Sequence, residues 1–460
     1  MENSEATGML PVEKRAASSL AGIFALRMLG LFMLLPVLSL YAESFEGATP
    51  MLMGVALGIY GLTQALLQIP FGMASDRLGR KQVIAVGLLI FAAGSVVAAL
   101  ATTIEWIIIG RALQGAGAIA AAAMALLADL TREEQRTKAM ATFGMSIGIS
   151  FMVAIVLGPI LNGWVGVSGI FWLTGVLALL GIVVLFKVVP TPVQSHMHHD
   201  AEADPAQFSD VLRDGQLLRL DFGIFALHLI LTAMFVVIPI GLRDAGLVVS
   251  DHWMVYLGVM VVAVAIMVPL IIIAEKRGKM KEVFSLAIVL VALAQFGLWH
   301  FSGSMWGIIL LMVLFFGGFN LLEATLPSLI SKMAPADKKG TAMGVYSSSQ
   351  FMGAFVGGVL GGWILGWSNG EEIAPVFLWT GGIALLWLLF ALSMERPLQV
   401  KTRLVRTGEM DVSQAALLAA QYREVTGVVE AVVIAEDRVA YLKVDEQTLD
   451  EKGLASLHAA

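Results

Sequence analysis

The chain has 460 residues, of which 58% are hydrophobic and only 14% are charged, and its mean hydropathy is +0.84. This composition excludes a soluble globular protein, because the apolar residues come in long uninterrupted blocks. The absence of cysteine excludes disulfides, thiolate metal sites and cysteine nucleophiles. The net charge of −6 says little about partners, and none of them is expected to be nucleic acid.

Long apolar runs follow one another along most of the chain, and each is about 20 residues, enough for a helix to cross a hydrocarbon core. The first six cover residues 21–41, 52–71, 82–101, 106–128, 138–160 and 170–189. The last six cover residues 220–242, 253–274, 283–301, 306–330, 341–365 and 376–394. The sequence therefore predicts an all-α polytopic membrane protein with two six-helix bundles, at 21–189 and 220–394.

Polar segments flank the bundles, with a start at 1–20, a linker at 190–219 and a tail after residue 394. Lys and Arg concentrate in alternate gaps, namely 77–81, 132–138, 213–219, 276–281 and 332–339. The other gaps are acidic, and tryptophans lie beside them, as expected of an interfacial belt. By the positive-inside rule, both termini and the linker are predicted to be cytoplasmic, in a multi-pass protein of a bacterial inner membrane.

The two halves resemble each other at offsets near 200 residues. The first run opens with Gly22-Ile23-Phe24-Ala25-Leu26-Arg27 and the seventh with Gly223-Ile224-Phe225-Ala226-Leu227-His228. Residues 275–279 are likewise a degraded copy of residues 76–80. This pattern predicts a duplicated six-span unit in parallel orientation, an arrangement in which the substrate site lies between the halves.

The most charged of the short gaps lies between the second and third runs and follows the pattern G-x-x-x-D-R-x-G-R-K. Its defining residues are Gly72, Asp76, Arg77, Gly79, Arg80 and Lys81. This stretch resembles the cytoplasmic loop signature of the major facilitator superfamily. Residues 111–117 match the R-x-x-Q-G pattern of the same superfamily. Residues 154–163 resemble, through Gly158 and Pro159, the G-P-x-x-G-G pattern of its drug/proton antiporter branch.

The resemblance implies a twelve-helix fold in which two bundles rock about a central site. It also implies that residues 72–81 latch the halves together on the cytoplasmic side, with Asp76 reaching the amino end of the eleventh span at residues 340–342. In the fifth span, Asn162 and Ala154 stand where the antiporter pattern has glycines. There Gly158-Pro159 predicts a kink and a close helix contact, either for gating or for ordinary packing.

Ionisable side chains inside the spans are costly in hydrocarbon and are therefore functional candidates. We identify four candidates for proton coupling: Arg27, Arg111, His228 and Glu323. Glu323 is the one acid that we place well inside a span, where a carboxyl group suits a proton carrier. An imidazole ordinarily titrates near physiological pH. Each of the four could instead be a structural hydrogen-bonding group.

Uncharged polar side chains could line a path for an amphipathic organic solute. Three of them, Tyr60, Gln64 and Gln68, recur at four-residue spacing on one face of the second span. The further candidates are Gln114, Gln295, Asn320, Tyr346 and Gln350. Hydrogen bonds between helices would explain the same spacing equally well.

The polar segments carry two further possibilities. In the linker, His196, His198 and His199 could bind a divalent metal, but we interpret them as solvated linker. Residues 398–460 are predicted to form a small domain with strands at 400–406, 428–435 and 438–444 and helices at 413–425 and after 448. This order predicts a ferredoxin-like α+β domain without its fourth strand.

The small domain resembles heavy-metal-associated domains, which bind metal through a cysteine pair that this chain lacks. We therefore expect no metal there. Its expected role is to stabilise the protein or mediate self-association, or else to bind a regulatory ligand or partner.

Together these features predict a secondary transporter that moves a small organic solute by alternating access, with proton-coupled efflux as the expected mode. No G-x-x-x-x-G-K-[ST] loop is present, and no enzymatic activity or cofactor is expected. One alternative is a uniporter of the same fold, whose flux would ignore a collapsed proton gradient. Another is a non-transporting membrane sensor, which would lose its output when residues 399–460 are deleted.

Overall fold

The helices between residues 11 and 392, a part of the chain that we call the transport region, follow the predicted apolar runs. The computed structural model describes residues 8–192, 205–335, 338–395, 401–435, 438–445 and 448–458. The first half contains α1 (Pro11–Phe32), α2 (Leu35–Ala42), α3 (Pro50–Leu78), α4 (Arg80–Ala99), α5 (Ile104–Ala116), α6 (Ala120–Asp129) and α7 (Glu133–Lys187). The second half contains α8 (Phe208–Val211), α9 (Gly215–Asp244), α10 (His252–Lys276), α11 (Met280–Phe301), α12 (Met305–Met333), α13 (Lys339–Leu365) and α14 (Ala374–Leu392).

The membrane-spanning class predicted from composition is confirmed. Among the described residues, eleven helical stretches are long and apolar enough to cross a membrane. One of them lies in α7, which has 55 residues and would be about 80 Å long if it were straight, far more than a bilayer core needs.

The helix α7 is two antiparallel segments joined at Gly166, where φ is +68°. Contacts with α1 establish the direction of each segment. They join Phe24 to Phe143, Met33 to Gly158, Gly30 to Thr174 and Ile23 to Gly181. The residue numbers contacted on the first span therefore increase along the first segment of α7 and decrease along the second, so the two segments run in opposite directions. The two segments correspond to the predicted fifth and sixth spans, which brings the crossings to twelve.

The first helix begins earlier than predicted. It starts at Pro11, ten residues before the apolar run, because this polar segment has partners of its own. Glu13 is buried and forms an ion pair with Arg132, at 2.9 Å between Oε1 and Nε. The polar start predicted over residues 1–20 is thus partly an extension of the first span.

Two of the predicted spans each consist of two helical pieces, although each stretch is long and apolar enough to cross a membrane. The first span breaks between α1 and α2, immediately before Pro36, which cannot donate a backbone hydrogen bond. The fourth span breaks between α5 and α6 at Gly117. This residue lies so close to α4 that a Cβ atom would be 2.3 Å from the carbonyl oxygen of Gly87. Chain hydrophobicity carries no signal for either break.

The two halves are closed against each other on one side of the molecule. We call the side on which α1 begins and α3 ends the motif side. On the opposite side, Arg243 of α9 pairs with Glu43 after α2. The ring of Phe151 from α7 lies 5.4 Å from that of Phe319 from α12. The α9 helix is also buried without interruption over residues 226–242, whereas Gly22, near the motif side of α1, is exposed.

The helix α13 joins the two halves through its glycines. A Cβ at Gly358 would lie 2.4 Å from the carbonyl oxygen of Gly54 on α3, and Gly357 lies equally close to the backbone of α9. Nearer the motif side, Gln68 donates to the Ser348 hydroxyl at 2.8 Å. Helix α13 therefore runs antiparallel to α3, and backbone contact is possible because small residues line the crossing.

A small domain closes the chain and confirms the predicted ferredoxin-like order. It contains β1 (Lys401–Arg406), α15 (Val412–Glu424), β2 (Val428–Ile434), β3 (Val439–Val444) and α16 (Glu451–His458). The three antiparallel strands are arranged β1-β3-β2. Lys443 donates to Glu430 and to the carbonyl oxygen of Ala334 at the end of α12, both at 2.7 Å. The domain therefore contacts the transport region directly.

Candidate transport site

A titratable cluster lies where α9, α12 and α13 meet in the second half. The amide nitrogen of Gln350 donates to Glu323 Oε1 at 3.3 Å and to His228 Nε2 at 2.9 Å. His228 Nδ1 donates to the Ile224 carbonyl at 3.3 Å while Nε2 accepts from Gln350, so the imidazole is neutral in this arrangement. His228 Nε2 and Glu323 Oε2 are 3.9 Å apart. Glu323 Oε2 is buried and has no hydrogen-bond partner among the described residues. The structure thus joins two predicted proton-coupling residues through a predicted cavity residue.

A second buried acid, Asp221 of α9, was missed from the sequence. It is 4% exposed, and neither carboxylate oxygen has a hydrogen-bond partner within the described part of the chain. The predicted seventh span, residues 220–242, contains Asp221, but Asp221 was not among the candidates that we identified there. Its spacing of seven residues from His228 places both on one face of α9 and could have identified it.

In the first half, the charged residues predicted inside the spans are arginines. Arg27 is 1% exposed and donates through Nη2 to Gln64 Oε1 at 2.5 Å. Its guanidinium carbon lies 5.5 Å from the ring of Tyr60 and 5.6 Å from that of Phe91. No carboxylate pairs with Arg27 in the described ranges. Aromatic rings therefore stabilise this charge through cation–π contacts.

Arg111 is placed as a structural group within the first bundle. It donates to the carbonyl oxygens of Ala56 and Leu57 on α3, both at 3.4 Å. It also donates to Gln114 Oε1 at 3.1 Å, and Gln114 in turn donates to Ser95 on α4 at 2.8 Å. These bonds hold α3, α4 and α5 together. They agree with the alternative in which Arg111 and Gln114 are structural hydrogen-bonding groups.

The polar residues predicted to line a path make their hydrogen bonds in different parts of the molecule, and their role in lining a path stays a prediction. Gln64 faces Arg27, whereas Gln68 faces α13, and Gln295 accepts from Thr380 within the second bundle at 2.7 Å. The hydroxyl groups of Tyr60 and Tyr346 and the amide nitrogen of Asn320 have no hydrogen-bond partner among the residues described. Of the predicted set, Asn320, Tyr346 and Gln350 are on the same helices as the titratable cluster.

The charged motif is mostly helical, and the predicted loop over residues 72–81 is wrong in extent. Residues 72–78 form the end of α3, the turn is Gly79 alone at φ +95°, and α4 begins at once. The left-handed conformation of Gly79 permits this single-residue turn. Gly72 faces Ala121 of α6. Arg77 is exposed, and Lys81 donates to the Val189 carbonyl at 2.7 Å.

The motif acid and arginine form a network within the first half. Arg80 pairs with Asp76 and, through Nε at 3.2 Å, with Asp129 at the end of α6. It also donates to Ser75 at 2.9 Å. The side chains of Arg80 and Asp129 are 3% and 0% exposed, and that of Asp76 is 40% exposed.

The predicted partner of Asp76, the amino end of α13, is instead in contact with the linker. Thr341 donates to Gln207 at 3.1 Å, and Lys338 pairs with Asp210 at 2.7 Å. The hydrogen bond from Lys338 holds the pKa of the Asp210 carboxyl below its usual value. The linker histidines lie outside the described residues. The latch between Asp76 and α13 therefore stays a prediction.

We expect Asp129→Asn to destabilise the protein more than Asp76→Asn. Removing one partner of a buried ion pair costs about 3–5 kcal/mol, whereas a pair with an exposed partner contributes about 0–1 kcal/mol. Thermal unfolding of the two variants in detergent, followed by tryptophan fluorescence, would show the larger drop in midpoint for Asp129→Asn. Equal midpoints would contradict this ranking.

Gly158 and Pro159 lie at a tight contact between α7 and the first span. A Cβ at Gly158 would be 2.3 Å from the carbonyl oxygen of Met33, just where α1 gives way to α2. The non-helical residue recorded inside α7 is Gly166, so the turn of the chain comes seven residues after Pro159. This placement agrees with close packing, and a gating role stays a prediction.

Comparison with known proteins gives one consistent family. The description "Major Facilitator Superfamily" matches residues 20–276 and 252–425. The chain is 48% identical to the inner membrane transport protein YajR of Escherichia coli over 95% of this chain and 96% of YajR. It is 26% identical to the multidrug resistance protein MdtH of Aeromonas hydrophila over 69% of this chain and 79% of MdtH.

A solved structure shows the same fold. It is a bacterial homologue of the human lysosomal transporter Spinster, in an inward-facing and occupied conformation. Its TM-score is 0.69 at 14% identity, over 85% of this chain and 98% of that one. The twelve crossings, the charged motif and these matches agree: the protein is a multi-pass membrane transporter that belongs to the major facilitator superfamily.

Proposed function

We propose that this transporter couples the export of a small organic solute to proton entry, in an inner membrane with both termini on the cytoplasmic side. The observation that carries the proposal is the cluster in which Gln350 joins Glu323 to His228. These three residues come from three helices of one half, and the carboxyl group of Glu323 has one buried oxygen without a hydrogen-bond partner among the described residues. Acids inside membrane spans commonly mark proton pathways.

Proton binding at Glu323 would change the charge of the cluster and the hydrogen bonds that it can form. The Glu323 side chain is 29% exposed, but its Oε2 atom is buried. Ionised, Glu323 accepts from Gln350 but leaves Oε2 unmatched, which is costly for a buried charged atom. Protonated at Oε2, the carboxyl is neutral and can donate to His228 Nε2, which is 3.9 Å away in this arrangement. Loading and unloading of this proton thus favours different side-chain arrangements, and such differential stability is what shifts a conformational equilibrium.

The surroundings of the cluster support an amphipathic solute. The rings of Phe151 and Phe319 lie against each other from opposite halves, and Phe319 also lies 6.0 Å from the ring of His228. The unpartnered amide of Asn320 and hydroxyl of Tyr346 offer polar contacts nearby. Apolar walls with a few polar groups are typical of organic-ligand sites. The name of MdtH, a multidrug resistance protein, points the same way.

A flux assay tests the proposal directly. The full chain would be reconstituted in vesicles that contain the pH dye pyranine and challenged with ethidium, naphthoate and naphthamide, which represent a cation, an anion and a neutral aromatic solute. We expect at least one to drive a counterflow of protons that protein-free vesicles lack. Solute flux that persists unchanged after a protonophore collapses the gradient would support the uniporter instead.

A further inference from the structure

Asp221 has no function in the cluster described above, yet it is the most isolated acid in the described part of the chain. It lies six residues from the start of α9, so it is about 9 Å along the helix from the motif side. Both of its oxygens are buried and unmatched. An ionised carboxylate in such a position is costly, and residues of this kind in membrane spans are seldom present for packing alone.

The titratable groups between Asp221 and the middle of the membrane-spanning region lie at increasing distances from the motif side. Tyr346 lies seven residues from the start of α13, at about 10 Å, and Glu323 lies ten residues from the end of α12, at about 15 Å. His228 lies thirteen residues into α9, at about 20 Å. Tyr346 is within electrostatic range of both Asp221 and Glu323, and its buried hydroxyl has no described partner.

We infer that Asp221 is a second proton-carrying residue, which exchanges protons between Glu323 and the motif side through the Tyr346 hydroxyl. In this arrangement the Tyr346 hydroxyl is hydrogen-bonded to neither acid, so the transfer requires these side chains to rotate into contact. The Tyr346 oxygen then accepts the proton that Glu323 releases, and the Tyr346 hydroxyl proton passes to an Asp221 oxygen. Glu323 loses one proton, Asp221 gains one and Tyr346 is unchanged, so the step needs no other reactant. This inference deepens the proposed function by extending the proton route towards the motif side.

No described cation neutralises Asp221 from the neighbouring helices. Tyr346 on α13 is within electrostatic range of Asp221, and residues 374–392 of α14 contain no ionisable residue. The nearest cations donate elsewhere: Arg219 to Ser393, and Lys281 to the carbonyls of Leu392 and Met394. On α3, Tyr60 lies beside Arg27 and Arg111, Asp76 pairs with Arg80, and Arg77 is exposed. The remaining neighbours, α2 and residues 249–251, lie at the opposite end of α9.

Infrared difference spectroscopy during a pH titration tests the inference with protons as the only ligand. The full chain in lipid vesicles should show two buried carboxyl bands, one lost in Glu323→Gln and the other in Asp221→Asn. Asp221→Glu should restore the second band, and Asp244→Asn at the exposed end of α9 serves as the control. A spectrum of Asp221→Asn identical to that of the unsubstituted protein would overturn the inference.

Flux measurements separate this inference from the proposed function. If the unsubstituted protein shows proton-driven flux and Asp221→Asn keeps the same pH profile, the relay is wrong and the coupling proposal stands. If the unsubstituted protein shows no response to a proton gradient, the coupling proposal fails, while the infrared bands still decide whether Asp221 carries a proton. Size-exclusion profiles of Asp221→Asn and Asp221→Glu would confirm that both variants are folded.

Discussion

Glu323→Gln is expected to abolish proton-driven solute transport while leaving a folded protein. Glutamine keeps the size of the side chain and can still accept from Gln350, so the packing of α12 against α13 is preserved. It cannot gain or lose a proton, so the site stays in its neutral form at every pH. Accumulation driven by a pH gradient should fall to the level of protein-free vesicles.

The informative control is exchange without a gradient. A carrier whose proton site is fixed in the neutral form can still reorient with solute on both sides, so solute exchange should persist and lose its pH dependence. Glu371→Gln, which removes an exposed acid from the loop between α13 and α14, should leave both activities unchanged. If gradient-driven accumulation survives Glu323→Gln, Glu323 is not the coupling residue.

The predicted fold came from features that are local in sequence. Runs of about 20 apolar residues gave the crossings, because burial in lipid requires that length whatever the neighbours are. Alternating hydrophobicity in the tail gave the three strands, and their order was confirmed. The breaks at Gly117 and before Pro36 were not predicted, because they depend on which helix lies alongside. The sequence around Gly117 does not indicate that the carbonyl oxygen of Gly87 lies only 2.3 Å from the position that a Cβ atom would take.

The candidate site was predictable in part for the same reason. His228 and Glu323 stood out because charged groups are rare within apolar runs, but their joint contact with Gln350 depends on how α9, α12 and α13 pack. Asp221 is the second residue of the predicted run, and what distinguishes it from a polar residue at the edge of a span is the burial of both its oxygens, which depends on the packing of α9. The partner of Asp76 was predicted by family resemblance. In this structure Asp76 pairs with Arg80, four residues further along the chain, and residues 72–78, which the sequence analysis treated as a loop, are helical.

The two halves use equivalent positions for different chemistry. Arg27 and His228 occupy matching places in the duplicated segments that open the first and seventh spans. Arg27 is held by Gln64 and aromatic rings, whereas His228 faces Gln350 and Glu323. In the proposed function, the first half therefore keeps a fixed charge within its bundle, and the second half supplies the groups that exchange protons. We therefore expect proton coupling to depend on substitutions in α9, α12 and α13 more than on those in α1.

Gly358→Ala is expected to disfavour the arrangement in which the halves are closed on the side opposite the motif. A Cβ at this position would lie 2.4 Å from the Gly54 carbonyl oxygen, and backbone atoms cannot swing aside as a flexible side chain can. Helices α3 and α13 must therefore separate. Overpacking of this kind costs about 1–3 kcal/mol, which corresponds to a shift of about 5- to 150-fold in the conformational equilibrium.

The absence of cysteine makes this shift measurable by labelling. Ser39 lies in α2, is fully buried and is on the closed side, so Ser39→Cys should react slowly with a polar maleimide in the purified protein. Adding Gly358→Ala should accelerate the reaction by about the factor above, because the equilibrium sets the fraction of open molecules. Gly258→Ala is the matched control, since a Cβ there meets nothing within 4 Å. Equal labelling rates in the two double variants would mean that the contact between α3 and α13 does not control opening on this side.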